Sequence, residues 1–194
     1  MTTKQPDWEA IERAYRAGSL SIKSTARCNG ICGNYDEVHS AEFDRRIAIM
    51  SWQIREAVPS DFRSLVRVDS VAEKDDGRRA QIASAISKGH CWVACGEDDP
   101  AVPVGYGCLD RSFFGEWFVP LVIVSNAHRR CGIGRKIIAH LERCSSAKKI
   151  FTSTNTSNTP MRQLLAQLGY QSSGVVENLD PGDPELIFMK VLDE

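Results

Sequence analysis

Residues 122–138, Val122-Ile123-Val124-Ser125-Asn126-Ala127-His128-Arg129-Arg130-Cys131-Gly132-Ile133-Gly134-Arg135-Lys136-Ile137-Ile138, constrain this chain more than any other stretch. They read as an apolar strand, a turn rich in arginine and glycine, and a helix in immediate succession. The first N–H groups of a helix have no intrahelical partner and sit at the positive end of its dipole, so a turn of this make-up is a seat for phosphate. Gly132 and Gly134 keep side chains out of the space where phosphates approach the main chain, and Arg129, Arg130 and Arg135 add positive charge. The predicted ligand is a pyrophosphate. The dinucleotide pattern GxGxxG and the triphosphate pattern GxxxxGK followed by Ser or Thr both fail here; what fits is Arg129-x-x-Gly132-x-Gly134 after a strand ending at Val124.

The elements around this turn alternate. Trp52 to Glu56 reads as a strand, Ser60 to Val71 as a helix capped by Ser60, and Arg78 to Lys88 as a helix closed by Gly89. Strands follow at His90 to Cys95, Pro103 to Arg111 and Trp117 to Val124, with a loop over Gly96-Glu97-Asp98-Asp99-Pro100 and a turn around Gly115. Beyond the phosphate turn come a helix from Gly132 to Ser145, a strand from Lys149 to Ser153, a helix from Pro160 to Leu168, and strands at Tyr170 to Glu177 and Glu185 to Val191. In the Pro160 helix, Asn158 or Thr159 can cap the start and Gly169 suits a left-handed stop. Strands interleaved with helices predict a mixed sheet with helices on both faces. Asn178 to Pro184, with two prolines, reads as an ordered loop of the kind that carries specificity.

Composition sets the outer limits. A chain of 194 residues that is 42% hydrophobic can bury a substantial core, and a formal net charge of -1 offers no electrostatic case for nucleic acid or an anionic membrane. Met1 to Gly18 is polar and charged rather than signal-like, and no apolar run approaches membrane-spanning length. Seven cysteines, most of them inside expected strands and helices, suit reduced thiols in a cytoplasm. Cys28, Cys32 and His39 lack a fourth ligand at zinc-like spacing, so no metal is expected. Cys131, among the expected phosphate-binding amides, is either a thiol of lowered pKa or a tolerated turn residue.

The chain changes character near Met50, which divides it into an extension over 1–49 and a domain over 50–194. Apolar residues at Trp8, Ile11, Ala14 and Tyr15 mark a helix over 7–17, and a second short helix is expected near 36–48. Residues 7–27 weakly resemble the start of a phage-type helix-turn-helix. The resemblance breaks off at Cys28-Asn29-Gly30-Ile31-Cys32-Gly33-Asn34, where a recognition helix should begin.

The Arg-x-x-Gly-x-Gly turn, together with Asn155 to Tyr170, in which an Asn precedes a short amphipathic helix ending in Gly and an aromatic residue, resembles the GCN5-related N-acetyltransferases over about residues 52–192. The resemblance implies an α/β (α+β) fold with a mixed, mostly antiparallel central sheet and helices on both faces, plus a short irregular or helical N-terminal extension. It implies acetyl-CoA as co-substrate and direct transfer to an amine. In that family the strand before the turn is bulged and its N–H groups face the thioester arm. Carried over, that role falls to Val122, Ile123 and Val124, the pyrophosphate role to Arg129, Arg130, Cys131, Gly132, Ile133, Gly134 and Arg135, and a contact to the cofactor arm to Asn158, which also reads as a plain N-cap.

One departure concerns the proton donor. The family often has a tyrosine where this chain has Leu165, which cannot protonate a leaving thiolate. Loss of the thiolate remains feasible because thiols ionise near pH 8.5. Tyr170 is the expected acid and Tyr106 the alternative, although both also read as half-buried strand aromatics. Glu116 leads as base, acting through a water, with Asp110 second, while His128 and His90 read as structural.

Glu177, Asp180, Asp183 and Glu185 cluster on the late loop and could attract a cationic amine or be an ordinary solvated loop. The expected partner is a small-molecule or peptide amine, with a homodimer among the expected assemblies. The competing class is a catalytically weak acyl-CoA sensor or a DNA-tethered regulator.

Overall fold

The computed structural model describes residues 52–192. The helices expected over 7–17 and near 36–48, the helix-turn-helix resemblance, and the Cys28, Cys32 and His39 grouping lie outside the described residues.

Strands β1 (Trp52–Glu56), β2 (Cys91–Gly96), β3 (Asp99–Phe113), β4 (Glu116–Val124), β5 (Lys149–Asn155), β6 (Gln171–Val176) and β7 (Glu185–Val191) form one sheet in the order β1-β2-β3-β4-β5-β7-β6. Each neighbouring pair is antiparallel except β4 with β5, which run parallel. This is the mixed, mostly antiparallel architecture expected of the sequence. Helices α1 (Phe62–Val68) and α2 (Asp76–Ser87) cover one face, where Leu65, Ile82 and Ile86 pack with Val93, Tyr106 and Leu121. Helices α3 (Ile133–Cys144) and α4 (Thr159–Gln167) cover the other, where Ile133, Ile137, Ile138, Leu141 and Leu165 pack with Val119 and Ile150.

Helix α3 is seated by what β3 lacks. Its apolar residues recur at helical spacing and form a stripe. A Cβ on Gly107 would overlap Ile137 and come within 3.0 Å of Leu141, and one on Gly105 would lie 2.8 Å from the Ile123 carbonyl oxygen. The two glycines therefore let the helix lie directly on the strand that neighbours β4.

Several boundaries differ from expectation for local reasons. The first helix was expected from Ser60 to Val71, but a 3-10 turn at Pro59–Asp61 precedes α1, and Asp61, not Ser60, stands at the N-cap of α1, with its side chain turned back to the start of the 3-10 turn. Asp61 accepts from the Val58 N–H at 2.8 Å while Arg55 grips its two oxygens at 2.7 and 2.9 Å. At the other end Asp69 turns the chain out of the helix and accepts from the Val71 and Ala72 N–H groups at 2.9 and 3.4 Å. Helix α2 starts at Asp76 because Asp75 caps it, accepting from the Arg78 N–H at 2.9 Å. Asp99 and Pro100, expected in a loop, open β3, where Asp99 pairs with Gly96.

Candidate active site

The site begins where the sheet comes apart. Strands β4 and β5 pair only at Phe118 with Phe151 and Val119 with Thr152. The next residue of β4 is Pro120, which has no N–H to continue a ladder. On the other flank, passing from Cys108 opposite Leu121 to Asp110 opposite Phe118 takes two steps along β3 and three along β4, which is a bulge at Val119–Pro120. The bulge flips the alternation, so that Val119 faces α3 and α4 while Leu121 faces α1 and α2. The Thr152 hydroxyl donates to the Val119 carbonyl at 2.9 Å and closes the paired stretch. Beyond this point Leu121, Val122, Ile123 and Val124 pair with Cys108, Gly107, Tyr106 and Gly105 on one side only. Alternate residues of an antiparallel strand direct N–H and C=O to opposite edges, so this segment presents main-chain polar groups to the edge that β5 has left. The bulge thus lies before Val122, Ile123 and Val124, and those three residues form the diverging segment. A proline in a central strand is confined to bulges and edges, and Pro120 was the signal available in the sequence.

The cleft leads to the turn. After a 3-10 turn at Asn126–His128, Arg130 (φ 65°) and Gly132 (φ 77°) both adopt the left-handed region, and α3 starts at Ile133. The Gly132 position opens to free space, whereas a Cβ on Gly134 would sit 3.3 Å from Leu164 of α4. Gly134 therefore also lets α4 pack closely against the first turn of α3. The N–H groups of Ile133, Gly134 and Arg135 lie in the first turn of α3, where a helix leaves its donors without intrahelical partners. The side chain of Ile133 is buried in the core, so its main chain is the part available to a ligand. The arginines are less free than their charge suggests. Arg135 donates to Gln167 at 2.9 Å and Arg129 donates to the Val124 carbonyl at 3.4 Å, while Arg130 is exposed. Cys131 is half-buried with Sγ 3.6 Å from the Arg129 carbonyl oxygen. His128 shares a 2.7 Å hydrogen bond between Nδ1 and Ser125 Oγ and meets Trp52 edge-on at 5.8 Å, the structural part expected of it.

Asn158 caps α4. Its Oδ1 accepts from the Met161 N–H at 3.3 Å and its Nδ2 donates to Thr154 Oγ1 at 3.0 Å.

Neither Glu116 nor Tyr170 belongs to the diverging segment of β4. Glu116 starts β4, six residues from Val122 and so about 20 Å away along an extended strand, and is ion-paired with Lys149 at 2.9 Å. It belongs to the closed end of the β4 and β5 pair. Asp110 sits beside it, opposite Phe118, and accepts from the main chain and hydroxyl of Ser112 at 2.9 and 2.6 Å. Tyr170 is buried beside Glu142, which is paired with Lys190 at 2.8 Å. Glu142 lies near the C-terminal end of α3, about 14 Å along the helix from the turn. Burial and the Glu142 carboxylate push the Tyr170 hydroxyl well above the usual tyrosine range. Tyr106 is fully buried and donates to Asp69 at 2.7 Å, and Leu165 is fully buried in the core. His90 lies just ahead of β2, its carbonyl accepting from the Leu109 N–H at 3.0 Å.

The acidic loop is also partly committed. Asp180 accepts from Asn155 at 2.8 Å, and Asp183 accepts from both the N–H and the hydroxyl of Ser157, which hold its carboxyl below the usual carboxylate range. Glu177 and Glu185 remain as the carboxylates of that cluster outside this network.

A parallel strand pair that parts beyond a bulge, with a glycine turn and a helix N-terminus at its open end, agrees with the family comparison: residues 51–170 match the model for the acetyltransferase (GNAT) family. The chain belongs to the GNAT acetyltransferase family. An acetyltransferase of that family from Bacillus cereus is 33% identical, with 74% of this chain and 99% of that one covered at a TM-score of 0.67. YncA from Salmonella typhimurium, a putative acetyltransferase solved with its cofactor acetyl-CoA, is 21% identical, with 74% and 95% covered at a TM-score of 0.60. NAA60 from Arabidopsis thaliana, solved with a bisubstrate analogue, is 14% identical, with 73% and 98% covered at a TM-score of 0.57. A search of curated proteins finds no match. Among the described residues no helix is long and apolar enough to cross a membrane, and no group of three or more His, Cys, Asp or Glu side chains is arranged to hold a metal ion.

Proposed function

We propose that this GNAT protein is an acetyl-CoA-dependent N-acetyltransferase that moves the acetyl group directly from the thioester to a primary amine of a small molecule or peptide, in the cytoplasm. The observation that carries the reading is the open main-chain edge of Leu121 to Val124, leading from the apex at Pro120 to the first turn of α3. That groove fits an extended, amide-bearing thiol arm lying beside Val122, Ile123 and Val124. The diphosphate would rest on the N–H groups of Gly132, Ile133, Gly134 and Arg135, with Arg129, Arg130 and Cys131 completing the turn. Asn158, the cap of α4, would meet the thiol arm, as its match to the family's asparagine implies.

In the reaction the amine lone pair attacks the thioester carbonyl carbon, main-chain N–H groups of β4 stabilise the developing oxyanion, and the C–S bond breaks as the amide forms. The thiolate takes up the proton that the amine gives away. With Leu165 at the family's tyrosine position, that proton travels through water. The bisubstrate analogue held by NAA60 fits a mechanism in which both substrates occupy the site together.

A second reading has one observation in its favour. Leu165 is fully buried and offers no proton, as in a protein that binds acyl-CoA without turning it over efficiently. Free-thiol release from acetyl-CoA, followed across polyamines, free amino acids and short peptides, separates the two. The enzyme reading predicts thiol release that depends on the amine. Calorimetric binding of acetyl-CoA with no release by any amine would favour the sensor.

A further inference from the structure

Residues 177–184, which join β6 to β7, lie against the turn that joins β5 to α4. Asn155 Nδ2 donates to Asp180 Oδ2 at 2.8 Å and to the Asp183 carbonyl at 3.2 Å. The N–H and hydroxyl of Thr156 both donate to the Pro184 carbonyl, at 2.9 and 3.0 Å. The N–H and hydroxyl of Ser157 donate to the two oxygens of Asp183, at 2.9 and 2.6 Å. Two of the acceptors are carboxylates, which strengthens these bonds over neutral ones.

The turn touches both faces of the sheet. Thr154 faces α4 and receives the Asn158 amide, so its neighbour Asn155 points to the opposite face, where it meets the loop. One residue beyond the Ser157 and Asp183 pair, Asn158 caps α4. The second half of α4 is in turn held beside the start of α3 by the close approach of Leu164 to Gly134 and by the Arg135 and Gln167 bond.

We propose that Asp183, assisted by Asp180, is a positioning residue that couples the coenzyme seat to the loop on the opposite face of the sheet. The proposal rests on the acetyl-CoA seat argued above. Coenzyme lodged at the starts of α3 and α4 fixes Ser157 and Asn158, and through the carboxylates it fixes loop 177–184. Linkage makes the effect reciprocal, so loosening the loop weakens the coenzyme.

The test uses the full chain, hydrogen exchange with and without saturating acetyl-CoA, and calorimetric affinities. In the unmodified protein, amides of 177–184 are expected to exchange more slowly once acetyl-CoA is bound. Asp183→Ala is expected to weaken acetyl-CoA binding by about fivefold to tenfold and to abolish that slowing. Asp183→Asn, which keeps an acceptor for the Ser157 N–H and offers its own N–H to the hydroxyl, is expected to stay within about twofold. Ser157→Ala, which removes the hydroxyl bond to Asp183 and keeps the N–H bond, is expected to weaken acetyl-CoA binding by an amount between those of Asp183→Asn and Asp183→Ala. Unchanged affinity in Asp183→Ala, or loop exchange indifferent to acetyl-CoA in the unmodified protein, overturns the coupling while leaving the seat standing. No binding of acetyl-CoA to the unmodified protein removes the seat and the coupling with it.

Discussion

Asp61 is buried, and every part of its carboxylate is used: one oxygen takes the Val58 N–H, and both oxygens take the Arg55 guanidinium. The Arg55 hydrogen bond holds its carboxyl below the usual carboxylate range against the opposing effect of burial. A carboxylate whose pKa is lowered by folding contributes stability above its unfolded pKa and loses it as pH falls through the folded value. Asp61→Asn is therefore expected to cost about 2 kcal/mol at pH 7. The gap between variant and parent should narrow as pH falls below the usual carboxylate range and acid protonates Asp61. Urea denaturation of both proteins from pH 7 down to pH 3 measures it, and a gap independent of pH would contradict the pairing. Ser60 and Asp61 are both cap formers one position apart, and the sequence, with Pro59 just before, favoured Ser60. A strand residue six positions earlier, Arg55, decides between them, and that contact exists only once the fold has formed.

At the scale of elements, legibility followed the periodicity. Helix α3 was plain from its apolar stripe and β4 from its run of Val, Ile and Leu, and both lie within a residue or two of expectation. The seat between them was hidden, because Gly105 and Gly107 matter for the atoms they lack, opposite a helix that starts some 30 residues later. Gly107→Val is expected to destabilise the domain by about 1–3 kcal/mol or more through overpacking against Ile137, seen as a lower denaturant midpoint. An unchanged midpoint would show that α3 does not rest on β3 as described. The glycine turn and the helix start after it were readable because helix-start chemistry is local. The point at which β5 leaves β4 was not, because that is a property of the assembled sheet.

For the molecule as a whole, the two helical layers leave α1 and α2 on one face and α3 and α4 on the other, with the cleft between β4 and β5 reaching both. The related Bacillus cereus structure is covered over 99% of its length by 74% of this chain. Residues 50–194 are accordingly expected to fold by themselves and to bind acetyl-CoA within about twofold of the full chain. At a hundredfold excess over Kd, the coenzyme should raise Tm by about 5–10 °C in both proteins. A truncated protein that folds but no longer binds would place part of the seat in residues 1–49.

Most sheets keep their unsatisfied margins on the outside; this one has a margin in its middle. Pro120 and the Thr152 hydroxyl stop β5 from zipping onto β4, leaving a slot one strand wide through the centre of the domain. A flexible chain carrying its own amides can lie there as a borrowed strand, which makes the visitor, for as long as it stays, a structural member of its host.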